Sequence, residues 1–203
     1  MVDQTRVVYG SSNPTIITSI PSSSEKSVVL TFDDGPSRIL PEILDVLKKE
    51  NIPAVFFWQT RLLHDKRPWK RVLEEGHLIG THTTKHVNLT KLPYHKQYKD
   101  IKSSIEKIQE ITGTEVKYFR PPFGQFNNDT IKAAKELHVT PVMWRIASID
   151  WELKNNPQQI ITNVLENLVG GSIILLHELQ QTLEMLPELI KAIQEKGYHF
   201  KLL

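Results

Sequence analysis

Two adjacent carboxylates, Asp33 and Asp34, follow the apolar run at residues 28–32 and precede the turn residues Gly35 and Pro36. A short apolar run bounded in this way predicts a buried strand, so both acids lie at a strand end. Neighbouring carboxylates repel each other, so such a pair often has a cation beside it, or one acid binds while the other moves protons. The alternative is an Asx-type turn, in which the side chains only accept hydrogen bonds from loop amides.

Two histidines, His82 and His86, follow a second predicted strand that ends at Gly80. If the chain turns helically there, both imidazoles face the same way, as two ligands of one metal ion require. Solvated or core histidines are the alternative. Two histidines and one carboxylate make the three-ligand set of catalytic zinc sites, which leaves one position open. We predict that Asp34 is this ligand and Asp33 the general base, although adjacency alone allows the reverse.

Two further charged side chains follow predicted strands. Arg120 comes after residues 116–119 and would pair with Asp33, keeping this acid ionised and oriented. A purely structural ion pair is the alternative for this arginine. His177 ends the most hydrophobic strand, where it could protonate a departing amine or stabilise an oxyanion. The alternative is a core histidine whose hydrogen bonds are satisfied.

Three more residues are candidates for binding a substrate. Trp151 and Leu175 offer apolar walls for a small group such as a methyl, and the backbone N–H of Phe123 could donate to an oxyanion. Either apolar wall could equally belong to the core.

The elements that must position these residues alternate along the chain as short apolar runs and longer amphipathic ones. Apolar strands alternating with helices predict a parallel sheet covered by helices, and about seven such units favour a (β/α) barrel, complete or incomplete, over an open sheet. The candidate residues follow strand ends, which converge on one rim of such folds. The predicted strands are 26–32, 54–58, 77–80, 116–119, 140–146, 172–176 and 198–203, and the predicted helices are 39–50, 67–75, 94–112, 128–138, 157–168 and 182–196.

Composition limits the classes of function. The 203 residues predict one domain, 26–203, after an N-terminal extension, 1–25, in which residues 11–24 resemble a surface tether. A formal charge of +2 without a basic block predicts no nucleic-acid partner. The absence of cysteine excludes thiolate ligands and disulfides. The first residues lack the apolar core of a signal peptide, and no run reaches membrane-spanning length, so we expect no membrane span. We expect a monomer.

Five short motifs, in order, carry a resemblance to a known family. They span most of the chain from residue 26 onwards and are 31–36 (TFDDGP), 82–86 (HTTKH), 120–124 (RPPFG), 148–151 (SIDW) and 174–177 (ILLH). Together they resemble the polysaccharide deacetylases of carbohydrate esterase family 4, which carry the NodB homology domain.

The resemblance implies a distorted, incomplete (β/α) barrel that acts on an acetylated polysaccharide or oligosaccharide. It implies a divalent metal, Zn²⁺ above all with Co²⁺ or another transition metal as alternatives, held by the aspartate and two histidines already assigned. The roles given above to the base, the acid, the arginine and the substrate-binding residues agree with it. Substrates in the family are N-acetyl groups of peptidoglycan or chitin-type glycans, and sometimes O-acetyl groups of xylan. The resemblance also implies an extracellular or wall-associated protein, while a cytoplasmic one stays open because no leader is visible.

Two departures from the family pattern bear on the general acid. Glu178 stands where the family commonly has Asp, and Ala147 stands where we expect an Asp that hydrogen-bonds the catalytic histidine. Loss of an anionic partner leaves a histidine less often protonated near neutral pH. We therefore expect a weakened acid unless Glu178, Asp150 or Glu152 substitutes. The alternatives to an N-deacetylase are an O-acetyl esterase and a weakly active glycan-binding homologue.

Overall fold

The computed structural model describes residues 6–21 and 26–203, whose eight strands pair in parallel. Seven of them form one curled sheet in the order β5-β4-β3-β2-β1-β7-β6, and β8 pairs with the start of β1. This confirms the predicted incomplete α/β barrel. The strands are β1 (Ser27–Gly35), β2 (Ala54–Trp58), β3 (Leu78–Thr81), β4 (Tyr118–Phe119), β5 (Thr140–Pro141), β6 (Ile146–Ala147), β7 (Ile173–His177) and β8 (His199–Phe200).

Six helices follow the strands in the described part of the chain. Their bounds agree with the predicted helices to within two residues at each end, and the longest is α3. No described helix is long and apolar enough to cross a membrane. The helices are α1 (Leu40–Glu50), α2 (Trp69–Glu74), α3 (Tyr94–Thr112), α4 (Asn128–Glu136), α5 (Gln158–Glu166) and α6 (Gln180–Glu195).

Strand β1 is buried on both faces and extends further than predicted. Val28, Leu30 and Phe32 pack in the large core with the buried residues of the helices, while Val29 belongs to a smaller cluster on the opposite face. Since side chains alternate along a strand, Asp33 lies on the same face as Val29. The strand thus carries a carboxylate at the end of the face that also holds Val29 and the buried hydroxyl of Thr31.

The predicted strand 140–146 is wrong as a single element. Its two ends form separate strands, β5 and β6, which lie at opposite edges of the curled sheet. The residues between them therefore cross the open side of the barrel. Proline has no N–H to donate to a strand partner, so Pro141 suits an edge position and not a continuous central strand.

The N-terminal segment covers the same open side. Val8 pairs with Ile146 at one edge of the sheet, and Ile17 pairs with Val142 beside the other edge. Val7 is fully buried. The segment pairs with the barrel at Ile17 and Ser19, so the expected surface tether is wrong for residues 16–20, while 22–24 lie outside the described residues. The boundary at residue 26 stays a prediction.

His77, just before β3, predicts a pH-dependent loss of stability. This buried side chain accepts a hydrogen bond at Nδ1 from the Ala54 N–H (3.1 Å), and burial lowers its pKa to about 4. The unfolded chain therefore binds the proton first as the pH falls from about 6.5 towards 4. This group stabilises the fold above that window and loses its contribution within it, by roughly 2 kcal/mol between pH 7 and pH 5.

The variant His77→Asn retains an acceptor for the Ala54 N–H but does not titrate. Chemical denaturation at pH 7 and pH 5 should show a smaller drop in unfolding free energy for His77→Asn than for the wild type. The exposed histidine of α3 gives a control, His95→Asn, which should match the wild type. Equal pH dependence in all three proteins would contradict this prediction.

Candidate metal centre and active site

The structure brings the three predicted metal ligands together. The ligand atoms of Asp34, His82 and His86 all lie within 4.8 Å of one another. The Asp34 Oδ1 is 3.7 Å from His82 Nε2 and 3.5 Å from His86 Nε2, both long for hydrogen bonds. Ligands on a tetrahedral zinc with bonds of about 2.1 Å are about 3.4 Å apart. The donor set and its spacing therefore fit one divalent ion.

Hydrogen bonding and charge keep two of these ligands in the form that binds a metal. The Nδ1 of His82 lies 2.7 Å from the carbonyl oxygen of Arg120, so Nδ1 carries the proton and Nε2 offers its lone pair. Burial lowers the pKa of His82 despite the nearby carboxylates, which favours neutral imidazole. Burial opposes the ionisation of Asp34, but the adjacent histidines outweigh it and lower the pKa of this acid.

The two histidines do not lie on a helical turn, which was the condition stated for their alignment. Residues 82–86 form a non-helical turn in which Thr83 and His86 have positive φ angles of 69° and 55°. Non-glycine residues in this region of φ are strained, so the surrounding contacts must hold them. The Thr83 Oγ1 accepts from the His86 N–H (3.1 Å), and the Asp100 carboxylate accepts from the Thr84 N–H (2.8 Å).

Asp33 and Arg120 form the expected pair inside the barrel. The guanidinium of Arg120 donates to Asp33 Oδ1 (2.7 Å) and to Thr31 Oγ1 (2.8 Å), and it is fully buried. Its other N–H groups donate to the carbonyl oxygens of Val142 and Met143 on the crossing segment. Arg120 therefore lies beneath the site, where it orients Asp33 and cannot itself reach a solvent-borne ligand.

His177 lies beside Asp33 because the parallel register of β1 and β7 pairs these two residues. Its Nδ1 is 2.7 Å from Asp150 Oδ1, and Asp150 Oδ2 accepts from the His177 backbone N–H (2.6 Å) and from Thr182 Oγ1 (2.6 Å). Burial opposes protonation of His177, but Asp150 and the two acids of β1 outweigh it and raise its pKa to about 9. Of the three residues that could substitute for an acid at Ala147, Asp150 is the anionic partner of His177, so the condition for a weakened acid is not met.

Glu178 has a role that the sequence reasoning missed. Its carboxylate is buried, accepts from the Trp58 indole N–H (3.0 Å) and the Ser37 backbone N–H (2.6 Å), and does not partner His177. Burial raises its pKa. A Cβ added at Gly35 would lie 1.7 Å from Glu178 Oε1, so this carboxylate packs directly against the backbone that follows Asp34. The only signal in the sequence was the position of Glu178, which directly follows the candidate acid His177.

Gln59 is a second residue that the sequence reasoning did not find. Its side-chain amide donates to Asp34 Oδ1 (2.6 Å) and accepts from the Arg61 Nε (2.8 Å). Gln59 directly follows β2, so it also lies at a strand end. That position was its only signal in the sequence.

A cavity of about 500 Å³ opens over these groups. Trp151 stands edge-on to the His177 ring with centroids 5.1 Å apart, and Phe123, at the rim, is 60% exposed. Leu175 is buried at the wall. The cavity therefore collects every predicted site residue except Arg120, which lies below it. Its lining comprises Asp33, Asp34, His82, His86, Pro121, Phe123, Gly124, Trp144, Trp151, Leu175, His177 and Leu179.

Fold and site together define an incomplete α/β barrel in which Asp34, His82 and His86, a group that could hold a divalent ion, lie at the carboxyl ends of the strands. The model of the family described as polysaccharide deacetylase matches residues 21–142, more than half of the chain. The chain belongs to the polysaccharide deacetylase family, as its motifs predicted.

Curated relatives include peptidoglycan deacetylases. The chain is 35% identical over 185 residues to a peptidoglycan-N-acetylglucosamine deacetylase of Bacillus cereus, covering 87% of this chain and 66% of that protein. It is 32% identical over 186 residues to the peptidoglycan-N-acetylmuramic acid deacetylase PdaA of Bacillus subtilis, covering 89% and 71%. The chain thus spans about two thirds of the length of these relatives.

Solved structures of the family share the fold whether or not they are active. A peptidoglycan N-acetylglucosamine deacetylase in complex with 4-naphthalen-1-yl-N-oxidanyl-benzamide superposes with a TM-score of 0.86 at 34% identity, covering 93% of this chain and 91% of that one. A family pseudoenzyme from Bacillus anthracis gives 0.84 at 26% identity, covering 93% and 67%. The fold alone therefore does not decide activity, which depends on the residues of the site.

Proposed function

We propose that the protein is a metal-dependent deacetylase that hydrolyses N-acetyl groups of a cell-wall polysaccharide, with peptidoglycan as the substrate class. The observation that carries this proposal is one cavity that holds the ligand set Asp34, His82 and His86, the buried carboxylate Asp33 and the Asp150-bound His177. The names of the relatives support peptidoglycan, and such a substrate places the protein at the cell wall.

The base side of the reaction belongs to Asp33. A divalent ion such as Zn²⁺ held by Asp34 and the two histidines would polarise a carbonyl and make water more acidic. Asp33 accepts the proton of the attacking water, and Arg120 holds this carboxylate in position. The N–H of Phe123 donates to the oxygen of the attacked carbonyl.

The acid side belongs to His177. Its Nδ1 bonds Asp150, so the ring presents Nε2, which is 4.0 Å from Asp34 Oδ2, to the cavity. Nε2 gives its proton to the departing amine, while Trp151 and Leu175 enclose the acetyl methyl. Amine departure needs this proton more than alcohol departure does. The protonated His177 therefore favours amide over ester substrates, and the O-acetyl esterase is the second candidate.

Release of acetate and of free amine should be measured on peptidoglycan, chito-oligosaccharides and acetylated xylan, with metal-free protein and after addition of Zn²⁺ or Co²⁺. The proposal expects metal-dependent release of both products from peptidoglycan. Preference for xylan would replace the proposal with an esterase, and preference for chito-oligosaccharides would replace peptidoglycan as the substrate. Binding without release from any glycan would favour the glycan-binding homologue.

The contact between Asp150 and His177 predicts a shift in the pH profile. His177 must be protonated to act as the acid, so its activity persists below its pKa and is lost above it. Because Asp150 raises this pKa, Asp150→Asn should lower it and move the alkaline limb of kcat/KM down by at least about one pH unit. Thr182→Val is the control, since it removes one hydrogen bond to Asp150 but leaves the charge. An alkaline limb at the same pH in Asp150→Asn would contradict this assignment.

A further inference from the structure

A second depression of about 560 Å³ adjoins the catalytic cavity. The two share His86 and Phe123 in their walls, so Phe123 forms the ridge between them. The Phe123 ring contacts the His86 ring edge-on, with centroids 4.4 Å apart. A chain molecule that lies over this ridge would therefore reach both depressions at once.

The walls of the second depression are held in place by hydrogen bonds. The Asn88 Oδ1 accepts from the Thr90 N–H (3.1 Å) and the Thr90 hydroxyl (2.8 Å), which fixes the short 3-10 turn Leu89–Lys91. The Asn88 side-chain amide also donates to Gln125, which lies on the loop after Phe123. Two separate loops are thus joined across the depression, so its shape is part of the fold.

The lining suits a sugar that carries a negative charge. Val87, Leu92 and the exposed ring of Phe123 offer apolar contact to the C–H face of a pyranose, and the Asn88 and Gln125 side chains can bond its hydroxyls. Lys91 is exposed at the edge and, among residues 6–21 and 26–203, has no carboxylate within ion-pair distance. An unpaired ammonium beside a sugar-sized depression favours an anionic substituent.

We propose that this depression binds the sugar next to the one that is deacetylated, and that Lys91 selects a neighbour bearing a carboxylate. The inference rests on the proposed function and narrows its substrate. Peptidoglycan strands without stem peptides offer such a carboxylate on the lactyl ether of every second sugar. Strands with stem peptides carry an uncharged amide at this position, and chitin-type glycans have no lactyl group. Lys91 is then a specificity-determining residue that does not touch the reacting atoms.

The test compares Lys91→Gln with the wild type on peptidoglycan fragments freed of their stem peptides and on chito-oligosaccharides of the same length. We expect Lys91→Gln to raise KM about fivefold on the carboxylate-bearing fragments and to leave kcat, and both constants on the chito-oligosaccharides, unchanged. Methylation of the lactyl carboxyl removes the negative charge from the fragments, so it should raise the KM of the wild type by the same factor. An exposed lysine of α3 gives the matched control, Lys99→Gln, which should change nothing.

An equal effect on both glycans, or no effect on either, would overturn the selection by Lys91. Calorimetric affinities for the same fragments give the same comparison without turnover. The selection by Lys91 and the proposed deacetylase activity can therefore fail separately. If Lys91→Gln binds the carboxylate-bearing fragments more weakly than the wild type does, but neither protein releases acetate, only the deacetylase activity is contradicted.

Discussion

Asp33→Asn should lower kcat for acetate release by about 10²- to 10⁴-fold, with little change in KM. Asparagine keeps the shape of the side chain but cannot accept a proton from water. Metal content should persist, because Asp33 is not one of the three ligands in the cluster. Steady-state kinetics and metal analysis of the purified variant measure both effects.

The same substitution also tests the ion pair beneath the site. Arg120 is fully buried and would lose its only anionic partner among the described residues, which typically costs about 3–5 kcal/mol. We therefore expect a lower unfolding free energy in addition to the loss of turnover. Asp45→Asn, which removes a surface ion pair with Arg71, is the control for both measurements. A folded, metal-loaded Asp33→Asn that retains wild-type turnover would exclude this residue as the base.

Loss of the divalent metal should have an effect of similar size. Chelation should abolish acetate release, and added Zn²⁺ should restore it in the wild type but not in His82→Ala. Substitutions around metal ligands typically cost 10- to 100-fold in affinity, so removal of a ligand should cost at least about 100-fold. Because the ion binds the folded state, Zn²⁺ should also raise the melting temperature of the wild type.

The melting temperature tests metal binding independently of catalytic activity. In His82→Ala the increase with Zn²⁺ should disappear, whereas the exposed-histidine variant His95→Ala should respond like the wild type. His82→Ala keeps the backbone N–H that donates to the Trp58 carbonyl, so the turn retains part of its support. A Zn²⁺ response that survives in His82→Ala would place the metal elsewhere.

Periodicity in the sequence correctly predicted the elements whose type and bounds depend on residues close together in the chain. The bounds of β2 and α3 match the predicted ranges, because a fully apolar run and a long amphipathic stripe leave few alternatives. The rule that strand ends converge on one rim was enough to predict that Asp33, His82 and His177 lie in one site.

The features that could not be predicted from the sequence depend on contacts between distant parts of the chain. The strand expected at 140–146 splits because its two ends pair with different neighbours, Phe119 of β4 and Ile174 of β7. The residues around Glu178 in the sequence do not indicate that its carboxylate is buried against Gly35. Local sequence also does not indicate that the partner of His177 is Asp150 and not the residue at position 147. Those distinctions come from register and from the turns that follow the strands.

The N-terminal segment has a consequence for the solubility of the chain. Its residues at 8 and 17 occupy backbone positions along the two outer margins of the curled sheet. A protein shortened to begin at residue 26 would leave both margins free to recruit a strand from another molecule, which is a common start of aggregation. Residues 6–21 thus protect the edges of the sheet against association with other molecules.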